Sequence, residues 1–186
     1  MILDRVGAGK DVPNNVNVII EVPAYSAPVK YEVDKDSGAM FVDRFIATPM
    51  HYPANYGYIP HTLMDDGDPA DMLVITPFPL MAGTVVRCRP IAMLNMSDES
   101  GRDEKLVGVP ITKLTTLYNN INDIHDLHEL QVQQIKHFFE HYKDLEKGKW
   151  VRVEDWVGAE AAKAAIVAAV ERAKVANKAK HHHSTP

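Results

Sequence analysis

Between residues 65 and 71 the chain reads Asp65-Asp66-Gly67-Asp68-Pro69-Ala70-Asp71, four carboxylates within seven residues, just ahead of the apolar run Met72 to Thr76. Fully extended at roughly 3.5 Å per residue, Asp66 and Asp71 would stand more than about 10 Å apart. Gly67 and Pro69 favour a turn instead, and a turn lets the carboxylates converge into a site for a hard cation. Taken alone, the segment reads equally well as a surface turn whose aspartates make local hydrogen bonds. Pro69 and the missing glutamate at the end of the loop argue against an EF-hand.

A second acidic group, Asp98, Glu99 and Asp103, falls in the turn Ser97 to Asp103, with Lys105 two residues on. Asp103 and Lys105 are expected on one strand face. By itself this is a solvated hairpin tip. The same half of the chain holds Lys30 beside Glu32, Arg44 after Asp43, and the aromatic run His51-Tyr52-Pro53-Ala54-Asn55-Tyr56-Gly57-Tyr58, while Tyr142-Lys143 closes a later amphipathic segment. Strand Lys/Glu pairs and core tyrosines explain each of these singly. Jointly they supply hard oxygen ligands for several Mg²⁺ ions and Lys, Arg and Tyr donors for phosphate oxygens. That combination points to phosphoryl chemistry on a small anion. Because such a substrate would be repelled by bare carboxylates, cations must first reverse the local field.

Two rival readings follow from other residues. His137-Phe138-Phe139-Glu140-His141 is an H-x-x-E-H string with the spacing of a zinc peptidase. Phe138 and Phe139 already account for that helix as a packing element, and the chain has little room for a peptide-binding domain. A small β-barrel that binds oligonucleotides is the non-enzyme alternative. Twenty Lys plus Arg against 25 Asp plus Glu leave a net charge of −5, which argues against a nucleic-acid or anionic-membrane surface.

The elements that must position these residues fit one domain. The chain has 186 residues, close to the ~150 of a typical domain. Its composition, 46% hydrophobic and 24% charged, can bury a core. The expected division is a single domain over residues 1–176 and a flexible tail over 177–186, with His181 to His183 left out of site reasoning. One cysteine, Cys88, cannot form an internal disulfide; no apolar signal core follows Met1; and the apolar stretches fall short of a ~20-residue span. A cytoplasmic protein is expected.

Strand-like runs cover Asn17–Val22, Val29–Val33, Ala39–Phe45, Met72–Thr76, Thr84–Met96 and Lys105–Val109. In the first, alternation puts Val18, Ile20 and Val22 on one face and Glu21 on the other. After Asp126 the period changes: Leu127, Leu130, Ile135, Phe138, Phe139 and Tyr142 recur at three and four, as on an amphipathic helix. Lys147 to Val153 returns to the body, and an alanine-rich helix over Ala159–Ala176 follows, with Ile166, Val170 and Ala173 at helical spacing. The expected fold is α+β, a small closed or highly twisted antiparallel β-barrel, OB-like, flanked by two C-terminal helices.

With these residues assembled, the chain resembles the soluble family I inorganic pyrophosphatases of the bacterial type. The resemblance is carried by Asp66-Gly67-Asp68-Pro69-Ala70-Asp71 together with Glu21-Val22-Pro23, Lys30-Tyr31-Glu32, Val42-Asp43-Arg44, Tyr52 to Tyr58, Asp98, Asp103-Glu104-Lys105 and His137 to Trp150, in the family's order. It covers roughly residues 5 to 175. Ala70 departs from it, since a larger aliphatic is usual there, as do Asp155 and the stretch Ile111 to His128. The resemblance implies that Asp66, Asp71 and Asp103 bind the two catalytic metals and that Asp68 holds and deprotonates the attacking water. Asp98 and Glu21 would take further Mg²⁺ ions, and Glu32 would order the water network. Lys30, Arg44, Tyr56, Lys105, Tyr142 and Lys143 would grip the phosphates, with Tyr52 in support. It also implies pyrophosphate as substrate and a homohexamer, a dimer of trimers with the His137–His141 helix at subunit contacts.

Overall fold

The computed structural model describes residues 3–183. Its strands are β1 (Val16–Val22), β2 (Val29–Val33), β3 (Met40–Phe45), β4 (Asn55–Ile59), β5 (Ala70–Val74), β6 (Val85–Asp98), β7 (Gly101–Arg102), β8 (Lys105–Pro110) and β9 (Val151–Gly158). Two α-helices, α1 (Glu129–His141) and α2 (Ala159–His182), and two 3-10 turns, Leu3–Arg5 and Ile124–Asp126, complete the described residues. Six of the strands lie where the alternating runs place them. The other two long ones, β4 and β9, are hidden in the sequence: β4 is the stretch Asn55-Tyr56-Gly57-Tyr58-Ile59, whose tyrosines and glycine mask a strand buried on both faces, and β9 starts only where the Lys147–Val153 segment turns β-branched.

The sheet closes on itself. β1 pairs with β4, β4 with β5, β5 with β8, β8 with β6, and β6 returns to β1 through Val16 opposite Cys88. The ring is the closed, twisted sheet expected from the sequence, antiparallel except where β5 and β8 run parallel, Met72 opposite Leu106. It is not a clean barrel. β6 is 14 residues long and continues past the ring to pair with β9 through Leu94 opposite Trp156. Its register against β8 slips between Pro90 and Ala92, next to a proline that has no N–H to give. The β2–β3 hairpin forms a separate two-stranded ribbon.

Two main cores flank this sheet. One gathers Tyr52, Tyr56, Leu73, Ile91, Leu94 and Val107 under the α1 residues Ile135, Phe138 and Phe139. The other packs Val16, Val18, Ile20, Met72 and Cys88 under the α2 residues Ala162 and Ile166. Val22 was expected beside Val18 and Ile20, yet it belongs to the first core, because the β1–β4 register shifts between Ile20 and Val22 and turns the strand over. Leu130 was expected on the buried face of α1 and is exposed, since it sits in the helix's first turn and faces the groove beside α1. α2 runs on through Asn177 to His182, a stretch the sequence assigns to a loose tail: Lys178, Ala179 and Lys180 are helix formers and no Gly or Pro interrupts them. Residues 184–186 of that tail lie outside the described residues.

Candidate active site

The acidic segment is the connection from β4 to β5. Its base is closed by Thr62, whose Oγ1 donates to the Ile59 carbonyl at 2.6 Å and accepts from the Ala70 N–H at 2.9 Å. The turn is closed by Met64 N–H to the Asp68 carbonyl, 2.8 Å, and Gly67 N–H to the Met64 carbonyl, 3.0 Å. Gly67 takes φ +90°, which a side chain would strain. Asp66 Oδ1 accepts from the Asp68 N–H at 2.9 Å, and burial pushes its carboxyl above the usual range. Among the described residues no hydrogen bond or ion pair engages the Asp68 carboxylate. Asp71 lies inside β5 opposite Tyr58, so its direction is set by the strand.

Lys105 is the hub of the site. Its ammonium donates to Asp71 Oδ2 at 2.9 Å and to the Tyr56 hydroxyl at 2.8 Å, and stands 3.0 Å from Asp103 Oδ1. Two of its N–H groups are hydrogen-bonded, and a third oxygen stands at ion-pair distance. Burial alone would neutralise it, but the carboxylates of Asp71 and Asp103 outweigh desolvation and hold the ammonium charged, well above its ordinary value. Asp103 precedes β8 rather than sharing a strand with Lys105, and the two still meet. Lys143 reaches Asp98 Oδ2 at 3.2 Å and Glu99 Oε1 at 3.5 Å.

The β2–β3 hairpin adds two cations. Register pairs Lys30 with Arg44, and both lean on Asp43, Lys30 Nζ at 3.4 Å and Arg44 Nε at 3.3 Å. Tyr52 packs at a tilt between Tyr56, centroids 4.9 Å apart, and Phe138, 4.6 Å, while Phe138 stacks on Tyr142 at 5.0 Å. Burial pushes all three phenols up, so each keeps its proton and stays a donor.

These side chains line one cleft of about 320 Å³: Lys30, Arg44, Tyr52, Tyr56, Asp66, Asp68, Asp71, Asp98, Asp103, Lys105, Tyr142 and Lys143 all face it. Glu21 and Glu32 lie in an adjoining recess that shares Lys30, Tyr56, Asp68 and Asp71. Glu21 is 5% exposed, accepts the Val33 N–H at 2.8 Å, and is pushed up to about 7 by burial. Every residue that the resemblance assigns to the site therefore lines this cleft or the recess beside it. Sequence reasoning missed Arg102 and Lys149, which line the same cleft. Nothing in their local pattern distinguishes them from solvated charges.

The donors suit hard cations, since every ligand candidate offers oxygen and none sulfur or imidazole. Asp71 and Asp103 are joined by an ammonium rather than drawn to one point, and no group of three or more such side chains among the described residues is already closed around a common centre. The H-x-x-E-H string finds no support: His137 and His141 stack on each other, centroids 4.4 Å apart, and His141 Nδ1 is engaged by Asp144 Oδ2 at 2.8 Å.

A closed twisted sheet carrying an all-oxygen acidic cleft, rimmed by cations and neutral phenols, defines an enzyme of phosphoryl chemistry. Residues 18–174 match the family model of inorganic pyrophosphatase, and the chain belongs to that family. It is 63% identical over 174 residues to the inorganic pyrophosphatase of Escherichia coli K12, covering 94% of this chain and 99% of that one. Its fold is similar to a crystal structure described as an inorganic phosphatase from Anaplasma phagocytophilum, with TM-score 0.89, 48% identity, and 91% and 99% of the two chains covered. The inorganic pyrophosphatase of Thermus thermophilus superposes with TM-score 0.87 at 42% identity, over 92% of this chain and 98% of that one.

Proposed function

We propose that the chain hydrolyses inorganic pyrophosphate to two orthophosphates in the presence of Mg²⁺, with Asp66, Asp71 and Asp103 holding the catalytic ions and Asp98 and Glu21 further ones. The observation that carries this reading is the single cleft in which five aspartates face nine Lys, Arg and Tyr side chains. Bound ions would supply a lowered pKa for the attacking water and charge neutralisation for the phosphates. The chain's own residues divide the remaining work. Asp68, unengaged and at the cleft, accepts the water's proton. Lys30, Arg44, Lys105 and Lys143 neutralise phosphate oxygens, and Tyr56 and Tyr142 donate hydrogen bonds to them, while Tyr52 packs behind Tyr56. Glu32, beside Glu21, orders water in the recess. The leaving phosphate departs with its bridging oxygen, its charge met by the same cations.

The proposal extends to a cytoplasmic homohexamer, a dimer of trimers. No helix among the described residues is long and apolar enough to cross a membrane. A groove lined by Tyr25, Met50, His51, Leu130 and His137 beside α1 leaves apolar surface that supports a subunit contact there. Phosphate release from pyrophosphate, with Mg²⁺ titrated from zero and light scattering on the same preparation, tests both parts. Chelated protein is expected to be inactive, Mg²⁺ to restore it, and fluoride to inhibit it. Full hydrolysis in excess chelator would overturn the mechanism, and a monomeric mass would overturn the assembly.

A further inference from the structure

The acidic turn is gripped from outside the cleft. Ala162, Ile166 and Ala169 follow one another along the buried face of α2, and Arg172 continues that row one turn on. At this end of the row the helix meets Leu63, at the start of the acidic turn. Leu63 N–H donates to the Ala169 carbonyl at 3.0 Å, using a lone pair left over beyond the helical ladder. Arg172 Nη1 donates to the Leu63 carbonyl at 2.6 Å, and Nη2 stands 3.1 Å from Asp65 Oδ1. Both backbone polar groups of Leu63 are thus held by α2, and one guanidinium spans Leu63 and Asp65. From that stem the Met64 bonds to Gly67 and Asp68 carry the position into the turn.

We propose that Arg172 is a positioning residue for the cation site: its fork fixes the Leu63–Asp65 stem and so sets where Asp66 and Asp68 stand. The inference rests on the reading of Asp66 and Asp68 as site carboxylates. The two contacts are unequal. Asp65 is 86% exposed, so its ion pair is screened and contributes little, whereas the bond to the Leu63 carbonyl is charge-assisted and partly buried. Lysine at 172 would keep the charge and lose the fork. The site should therefore degrade in steps, least in Asp65→Ala, more in Arg172→Lys and most in Arg172→Ala.

The test measures Mg²⁺ binding to the full chain by calorimetry, amide exchange of the segment 62–69 without metal, metal-free melting, and phosphate release against Mg²⁺. Arg172→Ala is expected to weaken Mg²⁺ binding on the order of tenfold, the scale for groups that orient metal ligands. It should speed exchange in 62–69 while the β5 amides keep their protection, and turnover at saturating Mg²⁺ should return to the wild-type level. Asp66→Asn run alongside separates two failures. Unchanged Mg²⁺ affinity in Asp66→Asn would sink the site reading and the inference with it. Weakened binding in Asp66→Asn with unaltered binding and exchange in Arg172→Ala would sink the inference alone, even if that variant melts earlier. If Arg172→Ala does not fold, Arg172→Lys decides by the same readouts.

Discussion

Among the described residues, Asp68 differs from the carboxylates around it in that no hydrogen bond or ion pair engages its side chain. Asp71 and Asp103 are committed to Lys105, Asp98 to Lys143, and Asp66 caps its own turn. A carboxylate without a partner remains a competent base, whereas one tied to an ammonium has its lone pairs occupied. Asp68→Asn keeps the shape and removes the basicity, so turnover on pyrophosphate at saturating Mg²⁺ is expected to fall by about 10² to 10⁴-fold with the melting temperature nearly unchanged. Steady-state phosphate release and a thermal melt check it, and near-normal turnover would assign the base elsewhere. Lys105 illustrates the opposite case. Removing an ammonium buried between two carboxylates costs about 3–5 kcal/mol, so a stability loss there says little about catalysis.

At the level of elements, the backbones of β1 and β4 crowd each other at Gly57. A Cβ on Gly57 would meet the Ile19 carbonyl oxygen at 2.0 Å and its carbon at 2.8 Å, both backbone atoms that cannot swing aside. Glycine between Tyr56 and Tyr58 is therefore demanded by strand pairing, not by a turn. Gly57→Ala is expected to force β4 away from β1 and to cost about 3 kcal/mol, the upper range for overpacking. Because Tyr56 sits on the same strand, its hydroxyl would shift from Lys105, and phosphate affinity should drop together with stability. Urea unfolding and the KM for pyrophosphate report the two effects. An unfolding midpoint equal to wild type would refute the crowding argument.

The whole molecule carries a pH dependence that has nothing to do with the cleft. Cys88 is fully buried in the second core, and burial pushes its thiol up. In the unfolded chain a thiol ionises near pH ~8.5. The folded value lies above the unfolded one, so this stabilisation is complete below about pH 8.5 and is lost progressively as pH rises beyond it. Cys88→Ala is expected to show a shallower fall of unfolding free energy between pH 8 and 10 than the wild type, measured by urea titration. Equal slopes would show that the thiol does not ionise on unfolding in that range.

The acidic turn, the lysine and tyrosine donors, the amphipathic helix and most strands were legible in the residues, because carboxylate spacing, turn chemistry and alternation are local and survive without coordinates. Even the resemblance to a family rests on short strings of that kind. Other features depended on pairing across the chain. Whether Asp71 meets Asp103 through Lys105 is decided by β5 lying parallel to β8, and no local pattern encodes which strands become neighbours. The switch of Val22 between cores follows from a register shift, and the burial of Asn55 to Ile59 from having partners on both sides. Arg172 was invisible for the same reason: in the sequence it is one basic residue on an alanine-rich helix, and only the packing of α2 over the ring brings it to Leu63, 109 residues away.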